Sequence, residues 1–336
     1  MTGPPARCDS NGRKNTAPPP LGVSVVIVNW NTRNMVLRLL GSLSTPSEDS
    51  GHEVELIVVD NASSDGSVEA IRREFPDVKL VAQDENRGFP GGVNPGVRVA
   101  TQPLVLLLNS DARTSRPSIE EAARYMDALS QVGILGPRIV GPEGRPQVSA
   151  WRDPSLAWMA LEAVGLSKLK AFNFGFYREK SFTKPEEVDC VSGCVMMIRR
   201  DLLNELGGFD EDYFMYFEET DFCVRARRRG TRVHHAPIGE FVHEAGGTSK
   251  SVRLRTFLDF RRSQILFHRK HSGVAAALAA RGLLVLASAL RVPPLAALSL
   301  VQGSERSKAQ LRLHLRGIRW LVNPLTGLVP DVDRSQ

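Results

Sequence analysis

The sequence predicts an α/β fold built on a doubly wound sheet, and three observations carry that expectation. Short runs apolar on both faces recur through the first third of the chain, helical stretches separate them, and the runs end at or near Asn or Asp. A strand apolar on both faces suits a parallel strand covered by helices above and below. Strand–helix alternation then specifies a doubly wound sheet, whose ligands sit at the carboxyl ends of the strands.

In chain order, residues 23–30 (VSVVIVNW), 54–60 (VELIVVD), 78–82 and 104–109 (LVLLLN) read as the strands. Residues 35–43, 68–75 and a segment near 95–100 read as the helices between them. For the last of these, Asn94 before Pro95 suits an N-cap with proline at the first helical position. An amphipathic helix over 119–129 opens the second half. Residues 187–198 (EVDCVSGCVMMI) follow as a strand or strand pair broken at Ser192-Gly193. Next come a short helix at 201–206, a Gly207-Gly208 turn, a helix from Glu218 to about Arg229, and a strand over 231–243, after which Gly246-Gly247 breaks the pattern. The first 20 residues are polar and Pro-rich, and read as a disordered tail with neither signal peptide nor anchor.

Composition narrows the function. Hydrophobic residues make up 42% and charged residues 24%, which excludes wholesale disorder. Four scattered cysteines cannot form a disulfide scaffold. Cys190 and Cys194 suit buried packing in a reducing cytosol. The net charge of +6 is uneven: residues 251–320 hold thirteen basic residues against Asp259 and Glu305. Such a region seeks phosphate on nucleic acid or anionic lipid. Its apolar run 274–290 (VAAALAARGLLVLASAL) speaks against nucleic acid. With Arg281 at its middle and Pro293-Pro294 close behind, the run is shorter than the ~20 residues of a spanning helix. It reads as an interfacial helix with Arg side chains on lipid headgroups.

The polar strand ends carry the chemistry. Asp60, closing VELIVVD, either contacts a nucleotide or closes a turn, and Asp65 suits a helix cap. Asp111, just past LVLLLN, is placed to hold a hard divalent cation beside a diphosphate, an Asx turn being the alternative. The stretch ENRGFPGGVNPG matches neither the Rossmann nor the phosphate-loop pattern, although its glycines permit close approach to a ligand. In GFDEDYFMYFEETDF, clustered acids repel one another, which supplies a general base. Glu218, Glu219 and Asp221 also suit a helix N-terminus, so placement alone does not separate cap from catalyst. His243 is a metal or phosphate contact, or structural. Trp151, Phe214 and Tyr216 suit sugar stacking or core packing.

In this order VSVVIVNWNT, ELIVVDNASSDGS, ENRGFPGGVNPG, LVLLLNSDA, the segment from VDCVSG to ARRRG, and FVHEAGGTS resemble the family 2 glycosyltransferases, in their bacterial rhamnosyltransferase-like branch. The resemblance spans about residues 21–250. It implies an inverting transferase with the GT-A fold, a mixed doubly wound sheet, followed over 251–336 by a basic amphipathic helical extension. Asn29, Asn31, Asp60, Asn61, Asn86, Gly88, Asn94 and Asn109 would surround the nucleotide sugar. Asp111 and His243 would hold Mg²⁺ or Mn²⁺, with Asn109 replacing the first acid of the family's D-x-D motif. Glu219, in a Glu-Glu pair where the family usually has Glu-Asp, would be the base, with Asp221 the alternative. The implied partners are a dTDP- or UDP-sugar, a lipid-linked or polysaccharide acceptor and the anionic inner face of the cytoplasmic membrane. A sugar-phosphate nucleotidyltransferase needs a Gly-rich loop after the first strand, where this chain has NTRNM. A nucleotide-sugar-binding scaffold without turnover is the remaining alternative.

Overall fold

The computed structural model describes residues 20–44, 52–169, 182–244 and 253–323. The expected N-terminal tail and the residues after Glu244 in FVHEAGGTS lie outside these, apart from Pro20. The first half alternates as expected: β1 (Val23–Asn29), α1 (Arg33–Ser44), β2 (Val54–Asp60), α2 (Ser67–Glu74), β3 (Lys79–Ala82), α3 (Gly88–Val99) and β4 (Leu104–Asn109). There follow β5 (Ala112–Arg113), α4 (Arg116–Ala128), β6 (Val132–Val140), β7 (Ala150–Trp151), α5 (Leu156–Ala163), β8 (Glu186–Glu187), β9 (Cys190–Val191) and β10 (Val195–Arg199). The chain continues with α6 (Arg200–Leu206), α7 (Glu218–Arg228), β11 (Arg232–His243), α8 (Arg253–Gln302) and α9 (Glu305–Val322).

The main sheet runs β3-β2-β1-β4-β10-β6-β11-β5, with β8 beside β11. β3, β2, β1 and β4 are parallel, and antiparallel β10 makes the sheet mixed. Alternation along β1 shows why both of its faces are apolar. Val23, Val25 and Ile27 enter one core with α1 and α4, while Val26 enters the other with α3, α6 and α7.

Helix α3 corrects one expectation. It begins at Gly88, so Asn94 is no N-cap and Pro95 lies inside the helix. A helical proline leaves the carbonyl four residues back without its usual partner. Here that carbonyl, on Gly91, accepts from Gln83 Nε2 at 3.2 Å. The glycines serve packing: a Cβ on Gly96 would come within 2.4 Å of Val26 Cγ1 on the sheet.

Helix α8 kinks at Gly273, whose φ of 87° is non-helical, and runs on through Pro293 and Pro294 instead of stopping before them. Its first part packs on the segment before α7: Ser263 Oγ donates to Met215 O at 2.8 Å, and Phe260 meets the rings of Tyr216 and Phe217 edge-on. Its second part packs with α5 and α9 through Met159, Ala277, Ala280, Leu284 and Leu321. Arg281, expected at lipid headgroups, donates instead to Leu321 O and Asn323 O at the end of α9. Val274, Leu278, Leu286, Leu290, Leu300 and Val301 remain exposed, and by length and composition this helix is apolar enough to cross a membrane.

Candidate active site

Parallel register sets the polar strand ends side by side: Asn29 is level with Asp60, and Val28 with Asn109. Asp60 is buried and committed internally. Its Oδ2 accepts from Asn29 Nδ2 at 2.7 Å, and its Oδ1 from the Ser63 amide at 2.8 Å. Asn29 Oδ1 in turn accepts from Thr32 Oγ1, which lies 2.7 Å from Ser110 Oγ. Asn31, left-handed at φ 51°, accepts from the Ser64 amide. Asp65 accepts from the amides of Ser67 and Arg33, the first residues of α2 and α1, but the N-cap position of α2 is Gly66, without a side-chain cap.

These residues underlie a cleft lined by Asn61, Asn86, Gly88, Asn109, Asp111 and Phe214 among others. Asn61 organises it. Its Nδ2 donates to Asn86 Oδ1 and Gly88 O, and its Oδ1 accepts from Gln83 Nε2 and the Arg87 amide. Asn94 is absent from the cleft. It donates to Phe209 O and Glu211 Oε1 and accepts from the Phe209 amide, tying α3 to the loop before α7. Arg255, Thr256 and Asp259 of α8 complete the wall, Arg255 stacking 4.8 Å over Phe214. Sequence reasoning missed them, although an acid four residues after a base was their signal.

Gly88 is required by its geometry. Its φ is +76°, and a Cβ there would lie 2.0 Å from Phe214 O. Gly88→Ala is expected to cost about 1–3 kcal/mol in strain alone, measured by thermal unfolding.

His243 reaches Asp111 because β11 pairs with β5, placing His243 opposite Ala112. Its Nε2 lies 3.3 Å from Asp111 Oδ1. Gln147 Nε2 donates to His243 O, so Gln147 Oε1 is left to accept from Nδ1 at 3.0 Å. With Nδ1 turned to Gln147, Nε2 faces the Asp111 carboxylate, and the two atoms are placed to hold a cation between them. One carboxylate and one imidazole, with phosphate oxygens and water, suit Mg²⁺ or Mn²⁺. Among the described residues no group of three or more His, Cys, Asp or Glu residues is placed to hold a metal.

Glu218 and Glu219 open α7 immediately after two left-handed non-glycine residues, Tyr216 (φ 69°) and Phe217 (φ 68°). Such conformations cost about 1–3 kcal/mol each and need surrounding packing to persist. The aromatic contacts with α8 supply it. Burial pushes the Glu219 carboxyl up to about 7, and its Oε2 is buried with no hydrogen-bond partner. Glu218 is raised well above the carboxylate range by burial and by Glu219. Burial first, and then Asp111 and Glu219, push the Cys194 thiol up to about 12, so both carboxylates act on one residue.

Glu219 also lines a second cavity of about 590 Å³, between α5, α7 and α8. Trp151 and Tyr216 line it too, and Trp151 Nε1 donates to Thr220 Oγ1. Asp221 corrects another expectation. It is 2% exposed, and its oxygens are taken by Arg225 Nε at 2.6 Å and His271 Nε2 at 2.7 Å. Burial alone would raise its pKa; His271 and Arg225 overcome that and hold it low. It braces α7 against α8 and does not stand open to a substrate.

The chain is similar in sequence and in fold to known proteins. The family model for glycosyl transferase family 2 matches residues 24–207. An N-acetylglucosaminyl-diphospho-decaprenol L-rhamnosyltransferase of Mycobacterium tuberculosis is 28% identical over 302 residues, 83% of this chain and 97% of that protein. Rhamnosyltransferase WbbL of Escherichia coli is 34% identical over 247 residues, 70% and 88% of the two chains. The mannosyltransferase PcManGT of Pyrobaculum calidifontis, in complex with GDP-Man and Mn²⁺, superposes with a TM-score of 0.52 at 20% identity, covering 91% and 90%.

Proposed function

The chain belongs to glycosyl transferase family 2, and from that premise we propose that it transfers rhamnose from dTDP-rhamnose to a lipid-linked acceptor in cell-envelope glycan synthesis. It is an inverting glycosyltransferase with the GT-A fold. The observation that carries the reading is Glu219: a half-buried carboxyl with a pKa near neutrality and one buried, unpartnered oxygen, lining a large cavity. The names of two relatives support rhamnose, and one supports a diphosphate-linked lipid.

The acceptor hydroxyl attacks the anomeric carbon from the face opposite the diphosphate. As the new C–O bond forms, the bond to the diphosphate oxygen breaks, its electron pair leaves with the nucleoside diphosphate, and configuration inverts. Glu219 takes the hydroxyl proton, at a pKa suited to general-base work near neutral pH. Asn86 and Asn109 present amides to the donor, Asn61 holds Asn86 and the Gly88 turn in place, Gly88 clears the approach, and Asp60, Asn29 and Asn31 fix the strand ends beneath. Asp111 and His243 would hold Mg²⁺ or Mn²⁺, which when bound offsets the charge developing on the diphosphate. The exposed aliphatic and basic residues of α8 and α9 support a cytoplasmic enzyme peripheral on the inner face of the membrane.

Purified protein with Mn²⁺ and a lipid-diphosphate acceptor is expected to release the most nucleoside diphosphate from dTDP-rhamnose among a nucleotide-sugar panel. Nucleotide binding without product in any pairing would overturn the catalytic reading in favour of a binding scaffold. Chelation or Asp111→Ala is expected to abolish transfer. Gln147→Ala is expected to raise the Mn²⁺ requirement about 10–100-fold, since it frees the His243 ring. Wild-type turnover in Asp111→Ala would remove the metal assignment.

A further inference from the structure

Helix α8 changes character at the Gly273 kink. Before it, Phe260, Ser263 and His271 hold the segment that carries Glu219. After it, from Val274 to Val301, Arg281 and Arg291 are the charged residues, and no acid occurs. Both arginines are engaged by backbone carbonyls. Arg281 donates to Leu321 O and Asn323 O at the end of α9, and Arg291 to Ala287 O and to Glu162 O beyond the helix.

What this part of the helix shows to the outside is therefore free of charge. Every exposed residue between Val274 and Val301 is aliphatic, glycine or proline, with Leu278, Leu286, Leu290, Leu298, Leu300 and Val301 among the largest. The exposed positions recur at helical spacing (278, 282, 286, 289–290, 293–294, 297–298 and 301), so they form one side. The opposite side packs on α5 and α9, with Ala277, Ala280 and Leu284 in one cluster with Met159 and Leu321. At about 1.5 Å per residue the uncharged side runs for about 42 Å. A continuous apolar side of that length marks an interaction surface, where scattered single aliphatics would not.

Helix α9, packed beside it, says what covers that side. Arg306, Lys308, Arg312, Arg316 and Arg319 are all exposed on α9, and its one acid, Glu305, pairs with Lys308 and Arg312. A second copy docked on α8 would bring another basic α9 to the same interface, where like charges repel. Anionic headgroups above acyl chains match the basic and the apolar surfaces together. Crossing the bilayer does not fit. It would carry Arg281, Arg291 and the charged helix packed on α8 into hydrocarbon, or strip α8 from α5 and α9.

We propose that α8 from Val274 to Val301 lies in the plane of an anionic bilayer, its uncharged side among the acyl chains and the basic residues of α9 on the headgroups. It enters one leaflet and does not cross. The inference rests on the membrane-peripheral reading above and adds which side enters, how deeply, and that both ends of the run stay on one side of the membrane. Arg291 also lines the cavity beside Glu219, so insertion in this orientation sets that cavity at the lipid surface.

Flotation of the full chain with sealed vesicles of phosphatidylcholine and phosphatidylglycerol, or of phosphatidylcholine alone, tests it. The chain is expected to float with the anionic vesicles and to bind the neutral ones more weakly. Leu286→Glu combined with Leu298→Glu is expected to lower that binding at least about tenfold with an unchanged melting temperature, since both side chains are exposed. Ser272→Cys and Gln302→Cys, at the two ends of the run, are expected to react equally with a membrane-impermeant maleimide added outside the vesicles, above the wild-type background. Wild-type flotation of the glutamate variant would overturn the proposed side, and shielding of one cysteine would overturn in-plane insertion. A dimer in solution that the glutamate variant splits into monomers, with vesicle binding kept, would make this side an interface between copies. Each of these leaves the peripheral reading standing; a chain that floats with neither vesicle would overturn that reading itself.

Discussion

Glu219→Gln is expected to lower kcat by about 10²–10⁴-fold, the range for losing a positioned general base, with nucleotide binding and folding intact. Gln keeps the shape and cannot accept the hydroxyl proton. The side chain it replaces is half-buried, with one oxygen fully buried and unpartnered and its pKa raised to about 7 by burial of the carboxyl. The base works only when ionised, so wild-type kcat/KM is expected to fall as pH drops through about 7. Stability moves the other way. A carboxyl with a raised folded-state pKa binds its proton more tightly in the folded chain, so stability falls as pH rises from about 4.5 towards 7. The catalytically ready form is therefore the less stable one, and Glu219→Gln is expected to raise the melting temperature at pH 8. Near-wild-type turnover in Glu219→Gln would remove Glu219 from the mechanism. Glu219→Asp keeps a carboxylate at the same helical position and is expected to retain more activity than Gln.

The parts of this site that were legible in sequence are those set by local pattern. β1, β2 and β4 announce themselves because helices cover both of their faces, and Asn61, Asn86, Asn109 and Asp111 stand where the strands and their following turns end. β6 escaped notice because it carries Gly133, Gly136 and Pro137; a Cβ on Gly136 would lie 2.5 Å from Val191 Cβ, so the glycine is there for a neighbour that local sequence cannot reveal. The first turns of helix α3, ahead of the segment near 95–100, escaped in the same way, their low helix propensity overridden by packing of Gly92 on Val28. The partnership of Asp111 and His243 depends on strand pairing across more than a hundred residues. The contribution of α8 was the least legible. Its basic and apolar composition describes a membrane-seeking tail equally well, and only the packing shows Phe260, Ser263 and His271 braced against the segment that carries Glu219.

That brace sets Asp221, the alternative base of the sequence reading, apart from Glu219, and it carries the second large expected effect. Asp221→Ala is expected to cost about 3–5 kcal/mol of stability, the range for breaking a buried charge pair by deleting one partner. Arg225 would lose its carboxylate, and His271, 7% exposed by its side chain, would lose its Nε2 partner. Because the Asp221 pKa is held low, its contribution is fully present at neutral pH and is lost as pH falls through the folded-state pKa, below 3.8. Denaturant unfolding at pH 7 measures the loss. A cycle with His271→Ala isolates the link between α7 and α8, because the two side chains are in contact and their effects do not add. Activity is expected to fall as well, through a different route from that of Glu219. Releasing α8 loosens the packing that holds Tyr216 and Phe217 left-handed, and with it the position of Glu219. The residual activity of Asp221→Ala should therefore keep the wild-type pH profile, whereas a lost proton acceptor would flatten it. A stable Asp221→Ala enzyme with a flattened profile would make Asp221 the base and Glu219 the bystander.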